Sequence, residues 1–534
     1  MKKITTNETT INNPNLRKFI IPLLLLSLVL IFLFTMSSVS AAVRSPSPVS
    51  DTIYVNNATG NDSWDGQSST WISGTKTGPK LSIKNATGTV TAGGIVHLAD
   101  GTYTGANNRN IYIDRNMTII GQSQSGTVIN AQGADRMFII PGGVSVTLQN
   151  MTLKNGKVSS SGGWIIIPGT GDDGGSIYNA GTLQINGCTF SGNSAGDGDY
   201  STLAIGGIGG NGGAIYNSGI LQISNSIFTN NRAGDGGGSG WFIGGIGGNG
   251  GAIYNAGTLH ITNSIIYNNR AGYWGHGWVS DGLDGSAGAI LNAGTLQIIG
   301  SIIRDNYAGS NHIGGIENKG NAEIHFNWIT GNNFNLASTN SLVNATLNFW
   351  GTNSAPLGVG TNVIVNPWLV FSFTANPSIV SYLGTSQISA NFLYDSNGVY
   401  HDPASGHIPD GIRIVYGLNW GTMNIIPDSS TTLNGEVKAI YHADWIEPIP
   451  QTATVYATLY ETIGGVDISI TISLPISILT FTDISENNHS SQNSVSKVNA
   501  ASKTIPLQKT GLPLAGLILV VLAVFSGLIT PKKK

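Results

Sequence analysis

Between Gly143 and Trp350 the apolar residues come in short alternating runs that return at fixed distances. Each run is counted from the glycine two residues before Leu-Gln-Ile or its equivalent. These markers are Gly143, Gly181, Gly219, Gly257, Gly294 and Gly320, spaced by 38, 38, 38, 37 and 26 residues. Two residues on stand Leu183, Leu221, Leu259 and Leu296; four on stand Ile185, Ile223, Ile261, Ile298 and Ile324. Nine on stand Phe190, Phe228, Ile266, Ile303 and Ile329. Alternation over runs too short for a helix is the pattern of strands with one buried face. A fixed period of this length marks a solenoid, so the pattern predicts a parallel β-helix over 143–370. Stacked coils, ~4.8 Å apart, would line like residues over like into internal Leu, Ile and Phe ladders.

Asparagine follows the same count. Twelve residues after each marker stand Asn155, Asn193, Asn231, Asn269, Asn306 and Asn332; two before it stand Asn179, Asn217, Asn255 and Asn292, with Asn318 in the last copy. Asn tolerates the left-handed backbone of tight corners and bonds neighbouring main chain. Both columns are therefore expected to be corner ladders with no chemistry of their own. The single cysteine, Cys188, continues as Ser226, Ser264 and Ser301, which predicts a small residue in a tight place and excludes an internal disulfide.

The 26-residue spacing reads as one bare coil, so the longer copies carry some 12 extra residues between the Asn and the next Gly-Gly-Ala-Ile-Tyr-Asn. Insertions in a repeat array map to loops on one face. These inserts hold Trp164, Tyr200, Trp241, Phe242, Tyr273, Trp274 and Trp278. They predict an exposed aromatic cluster on flexible, glycine-rich backbone, the candidate ligand-binding residues of the chain.

Around the array, residues 50–142 read as a cap and first coils, which a stack of otherwise unpaired strands needs. Residues 371–480 carry five-to-ten-residue alternating segments separated by turns, as in a β-sandwich of the Ig-like kind. The first 42 residues, with Lys2, Lys3, Arg17 and Lys18 before the apolar run Phe19–Phe34, predict a secretory signal peptide. A polar linker over 481–510 leads to an apolar run over 511–534 ending in three lysines. That run is long enough for a transmembrane anchor with a cytoplasmic basic tail. Leu507-Gln508-Lys509-Thr510-Gly511 resembles a sortase signal, with Gln508 in the place of its proline.

Composition narrows the function. Charged residues are only 10%, Gly reaches 73 and net charge is -3, so charge points to no nucleic-acid partner. Only ten carboxylates stand between residues 155 and 335, mostly in the inserts, and no carboxylate column is expected to accompany Arg232 and Arg270. No catalytic residue, metal site or cofactor is assigned. Asp197, Asp199, Asp281 and Asp284 lack the nine-residue calcium repeat. Sequons at Asn57, Asn61, Asn85, Asn116, Asn150, Asn344 and Asn488 permit glycosylation, with Asn150 expected inside a strand.

The Gly-Gly-Ala-Ile strings, with Phe228–Asn231 (FTNN) and Phe190–Asn193 (FSGN), resemble the repeat of polymorphic outer-membrane proteins. The closing phrases Leu347–Pro356 (LNFWGTNSAP) and Asn366–Val370 (NPWLV) make the layout similar to adhesin-like surface proteins of methanogenic archaea. Those carry a right-handed parallel β-helix followed by a bacterial-type Ig-like module. The resemblance implies an exported, membrane-anchored surface protein that binds extracellular glycan or protein. Two other classes stay open at this point: a polysaccharide lyase or glycosidase on a β-helix, and a structural envelope protein without a specific ligand.

Overall fold

A computed structural model describes residues 51–163, 166–310, 312–426, 430–444, 449–463 and 466–479. The expected signal segment, the linker and the apolar tail lie outside them, as does Trp164. Among the described residues no helix is long and apolar enough to cross a membrane.

The described residues are all-β apart from short helical turns. Three parallel sheets, of eleven, eight and eight strands, stack coil on coil, the arrangement of a parallel β-helix. One coil gives Ile215–Asn217, Ile220–Ser224 and Ile227–Thr229, one strand to each sheet. Leu221 pairs with Leu259 and Ile223 with Ile261 in the next coil, and Phe228 pairs with Ile266. The alternating residues between them face out. Leu183, Leu221, Leu259 and Leu296, with the Ile and Phe columns, are buried in one continuous core. Phe190 and Phe228 stack in parallel with centroids 4.6 Å apart. At the open end, Thr52–Val55 pairs with Ile95–Leu98, and the helix Ile83–Thr89 lays Ile83 and Ala86 over the core.

Both asparagine columns form ladders, with one exception. Asn193, Asn231 and Asn269 each donate an amide hydrogen to the next Oδ1 at 2.9 Å, and Asn306 donates to Asn332 at 3.0 Å. The second ladder runs Asn179, Asn217, Asn255, Asn292, Asn318 at 2.6–2.7 Å. Asn155 does not belong to the first. It is exposed, has φ 56°, and donates to Asn130. The amide of Gly156 instead reaches Asn193 Oδ1 at 2.9 Å. The reason is register: Val146 pairs with Leu183 and Leu153 with Phe190, so Val144, not Gly143, answers Gly181. The first coil also has a longer corner between its strands, because Ile140 pairs with Asn179.

Left-handed backbone sits one residue before the ladder, at Gly192, Asn230, Asn268, Asp305 and Gly331. Asn155 aligns with these. Asn150 likewise lies at an exposed left-handed corner, φ 54°, just past the strand Ser145–Gln149.

Downstream, eight strands from Leu369 to Leu479 make two four-stranded antiparallel sheets. Aromatic residues join them to the last coils: Phe349 packs against Trp328 and Phe392, and Phe392 against Phe371. Asn353 clamps the junction by bonding both the N–H and the carbonyl of Phe371.

Candidate functional site

The inserts are not slack loops. Each has an outgoing arm and a returning arm, and successive arms are tied by two zigzag chains of main-chain hydrogen bonds. In one chain, Gly210 donates to Gly196, Gly234 to Gly210, Gly248 to Gly234, Gly272 to Gly248 and Gly285 to Gly272, all at 2.8–2.9 Å. In the other, Gly207 donates to Asp199, Gly237 to Gly207, Gly245 to Gly237, Gly275 to Gly245 and Gly282 to Gly275 at 2.7–2.9 Å. A Cβ on Gly210, Gly234, Gly245 or Gly272 would overlap a carbonyl of the neighbouring arm. Along Ile243–Gly251 the glycines are buried in pairs while Ile243 and Ile246 are exposed. That three-residue period belongs to a polyproline-type helix, and only glycine lets such chains approach so closely.

This lattice fixes the position of the candidate aromatics. At two tips a serine begins a tight turn: Ser201 Oγ accepts from Ala204 N and Ser239 Oγ from Phe242 N, both at 2.9 Å. The tips align along the stack, Ser201 with Ser239 and Ser239 with Gly277. Leu203, Trp241, Phe242, Trp278 and Val279 thus lie side by side, 47–79% exposed. Tyr200 joins them, its ring lying over Gly238 and Gly240 of the next insert. Tyr273 and Trp274 stand apart on the fourth outgoing arm. Tyr273 lies under the Arg270 guanidinium at 3.7 Å, and Trp274 meets Tyr273 and His276 edge-on.

Sequence reasoning missed an ionic seam at the base of the outgoing arms. Asp197 and Asp235 do form a carboxylate column beside the arginines. Asp197 pairs with Lys157 at 3.4 Å and Arg232 at 3.8 Å; Asp235 pairs with Arg232 and, at 3.8 Å, with Arg270. Each carboxylate also accepts from the amide stacked on it, Asp235 N and Tyr273 N at 2.9 and 2.8 Å. Burial and the neighbouring Arg270 hold the Arg232 pKa below its usual range. Three cations and two carboxylates alternate along this seam and serve as a ladder. The signal was in the spacing: Asp197 and Asp235 stand 38 residues apart, as Arg232 and Arg270 do, each carboxylate sixteen residues after its marker glycine.

Also missed were Tyr178, Tyr216 and Tyr254, the outward residues of the repeated Ile-Tyr-Asn strings. They stack at 5.1 and 5.3 Å, and burial pushes the Tyr216 phenol up to about 12. Beside them Asp173 heads a further ladder, accepting from Asn211 N at 2.6 Å, and Asn211 accepts from Asn249 N at 2.9 Å. Burial raises the Asp173 pKa despite those bonds. Cys188 is buried, its thiol pushed up to about 12 by desolvation, with its N–H on Ser226 Oγ. The concavities lie away from the tips: one of about 560 Å³ beside Arg136 and Lys157, and a polar groove of about 390 Å³ along Gln184, Gln222 and His260. Among the described residues no three His, Cys, Asp or Glu side chains converge as a metal site. Asp199 holds the Ser160 hydroxyl, Asp281 faces His276, and Asp284 accepts from Trp274 N.

No family model, curated protein or solved structure matches the chain.

Proposed function

We propose that the chain is an exported, adhesin-like surface protein that binds extracellular glycan or protein through the tips of its stacked inserts. In this reading the right-handed β-helix is the rigid rod, the Ig-like module is a spacer, and the apolar C-terminal run anchors both to the membrane. The observation that carries it is the tip ridge. Four aromatic side chains of 150–250 Å² each, half to four-fifths exposed, offer roughly 500 Å² of contiguous apolar surface, the size at which a patch becomes a recognition site. Rigid support matters as much as area, because aromatic anchors on fixed backbone bind with little loss of entropy. Flat aromatic faces suit the C–H surfaces of sugars and the apolar anchors of proteins alike.

The test is the full chain on the cell surface, screened against a glycan array and against other cells, with Trp241 and Trp278 changed to Ala. Both side chains point to solvent, so the coils stay intact. Loss of two central anchors is expected to weaken binding at least about 30-fold. Undiminished binding by this variant would refute the assignment.

A further inference from the structure

The returning arms present a second surface, distinct from the tips. Along each arm every third residue faces outward, and the lattice stacks these residues in two columns. Ile208 stands beside Ile246 and Ile246 beside Leu283, since Gly209 N donates to Ile246 O and Gly247 N to Leu283 O. Ile205 stands beside Ile243, since Gly206 N donates to Ile243 O. Ile167, two residues before Gly169 as Ile205 is before Gly207, leads that column. All six aliphatic side chains are 41–69% exposed. The same two columns hold only Thr170 and Ser280 as polar members, each exposed, and no charge.

We propose that this aliphatic face is a self-association surface whose occupant is the same face of a second copy. Three features select that partner. The side chains offer neither ion pairs nor the aromatic planes and amide forks that orient a sugar, so the chemistry complementary to the face is a dry apolar one. The face is periodic, with residues one lattice step apart across the arms, so a copy turned about a two-fold axis sets its ridges between those of its partner. A surface that meets itself this way forms a closed pair rather than a filament. Area agrees: six half-exposed aliphatic residues give roughly 600 Å² per copy, and about 1,200 Å² for the pair, the lower bound of specific interfaces. A weak pair of that size suits contact between copies already held at high local concentration.

The interface predicts that residues near the axis meet themselves. The full chain carries one cysteine, Cys188, which is buried, so cysteines introduced singly at Ile208 or Ile246 can be bridged by a short bis-maleimide against a silent background. Bridging on intact cells should give, from at least one of them, a species of twice the mass of the unbridged chain. Gln222→Cys, on the exposed outer face of the longest sheet, should give none. In the purified full chain at detergent dilution, Ile208→Lys with Ile246→Lys should weaken pairing at least 30-fold, while Ile246→Thr should do so only several-fold. Circular dichroism and protease resistance check that each variant folds. The proposal is overturned if bridging is no greater than for Gln222→Cys, or if the bridged species contains a different protein. It is also overturned if the double lysine variant pairs like the unaltered chain. Loss of glycan or cell binding in the lysine variant, with pairing retained, would likewise overturn it and assign the face to ligand. Because the tips are untouched, tip binding survives the failure of pairing, and pairing survives Trp241→Ala with Trp278→Ala.

Discussion

Asn231→Gly should be among the most damaging polar substitutions in the array, while Asn155→Gly should be nearly silent. Asn231 is buried and its amide makes four hydrogen bonds. Oδ1 accepts from Asn193 N at 3.1 Å and Asn193 Nδ2 at 2.9 Å; Nδ2 donates to Phe190 O at 3.0 Å and Asn269 Oδ1 at 2.9 Å. Asn193 Nδ2 keeps Leu153 O, and Asn269 Oδ1 keeps the Asn231 amide. Asn193 N keeps nothing in its place. At ~1 kcal/mol for each of the three other lost bonds and ~1–3 for the orphaned Asn193 amide, the change should cost roughly 4–6 kcal/mol. Asn155 has one exposed side-chain bond and a left-handed backbone, and glycine already fills the position beside it at Gly192. Its replacement should cost below about 0.5 kcal/mol, since glycine is at ease there. Stacked repeats open locally as well as globally. The assay is therefore urea unfolding followed by circular dichroism, together with hydrogen exchange at the Asn193 amide. Equal destabilisation by the two variants, or unchanged protection of Asn193 in Asn231→Gly, would refute the reasoning.

The lattice makes its own demand. Gly245→Ala places a methyl against the Gly207 carbonyl and should open the second and third inserts to protease at their tips. Ile246→Ala, one residue away on the exposed face, should leave the digestion pattern unchanged. Asp173→Asn should stabilise the fold at neutral pH. Burial raises the Asp173 pKa above its unfolded value, so the folded state holds the proton longer and stability falls as pH rises from the unfolded to the folded pKa. The gain from Asn should be absent at acid pH, grow through that window and then level off. A thermal-midpoint series against pH showing a constant difference would contradict this.

Much of the coil was legible because the buried columns depend on spacing alone: Leu221, Ile223 and Phe228 face inward wherever the strand begins. What failed was the boundary where the spacing is a compromise. A 38-residue step from Gly143 to Gly181 averages a 39-residue step on one sheet and 37-residue steps on the other two, since Ile140 answers Asn179 but Val146 answers Leu183 and Leu153 answers Phe190. Asn155 was swept into the ladder by that average. The inserts were misread for a different reason. Glycine-rich composition serves both a slack chain and the closest chain packing, and only the three-residue period of Ile205–Gly213 separates them. The ionic seam was open to the same count as the asparagines, since Asp197 and Asp235 stand one period apart, as do Arg232 and Arg270. The exposure of Tyr200, Trp241, Phe242 and Trp278 was legible, whereas Tyr273 lies under Arg270 and Trp164 lies outside the described residues.

The glycine lattice also sets how such a chain can change length. Its bonds involve main chain alone, so the four residues at each tip are free to vary while the arms behind them are not. An arm can be lengthened only in steps of three residues, and only together with the arms it touches. Duplicating one whole 38-residue unit escapes both conditions, because it adds a further pair of arms and lengthens none. The result would be a broader recognition edge, wider by one inter-coil step of ~4.8 Å, with every older tip kept in place.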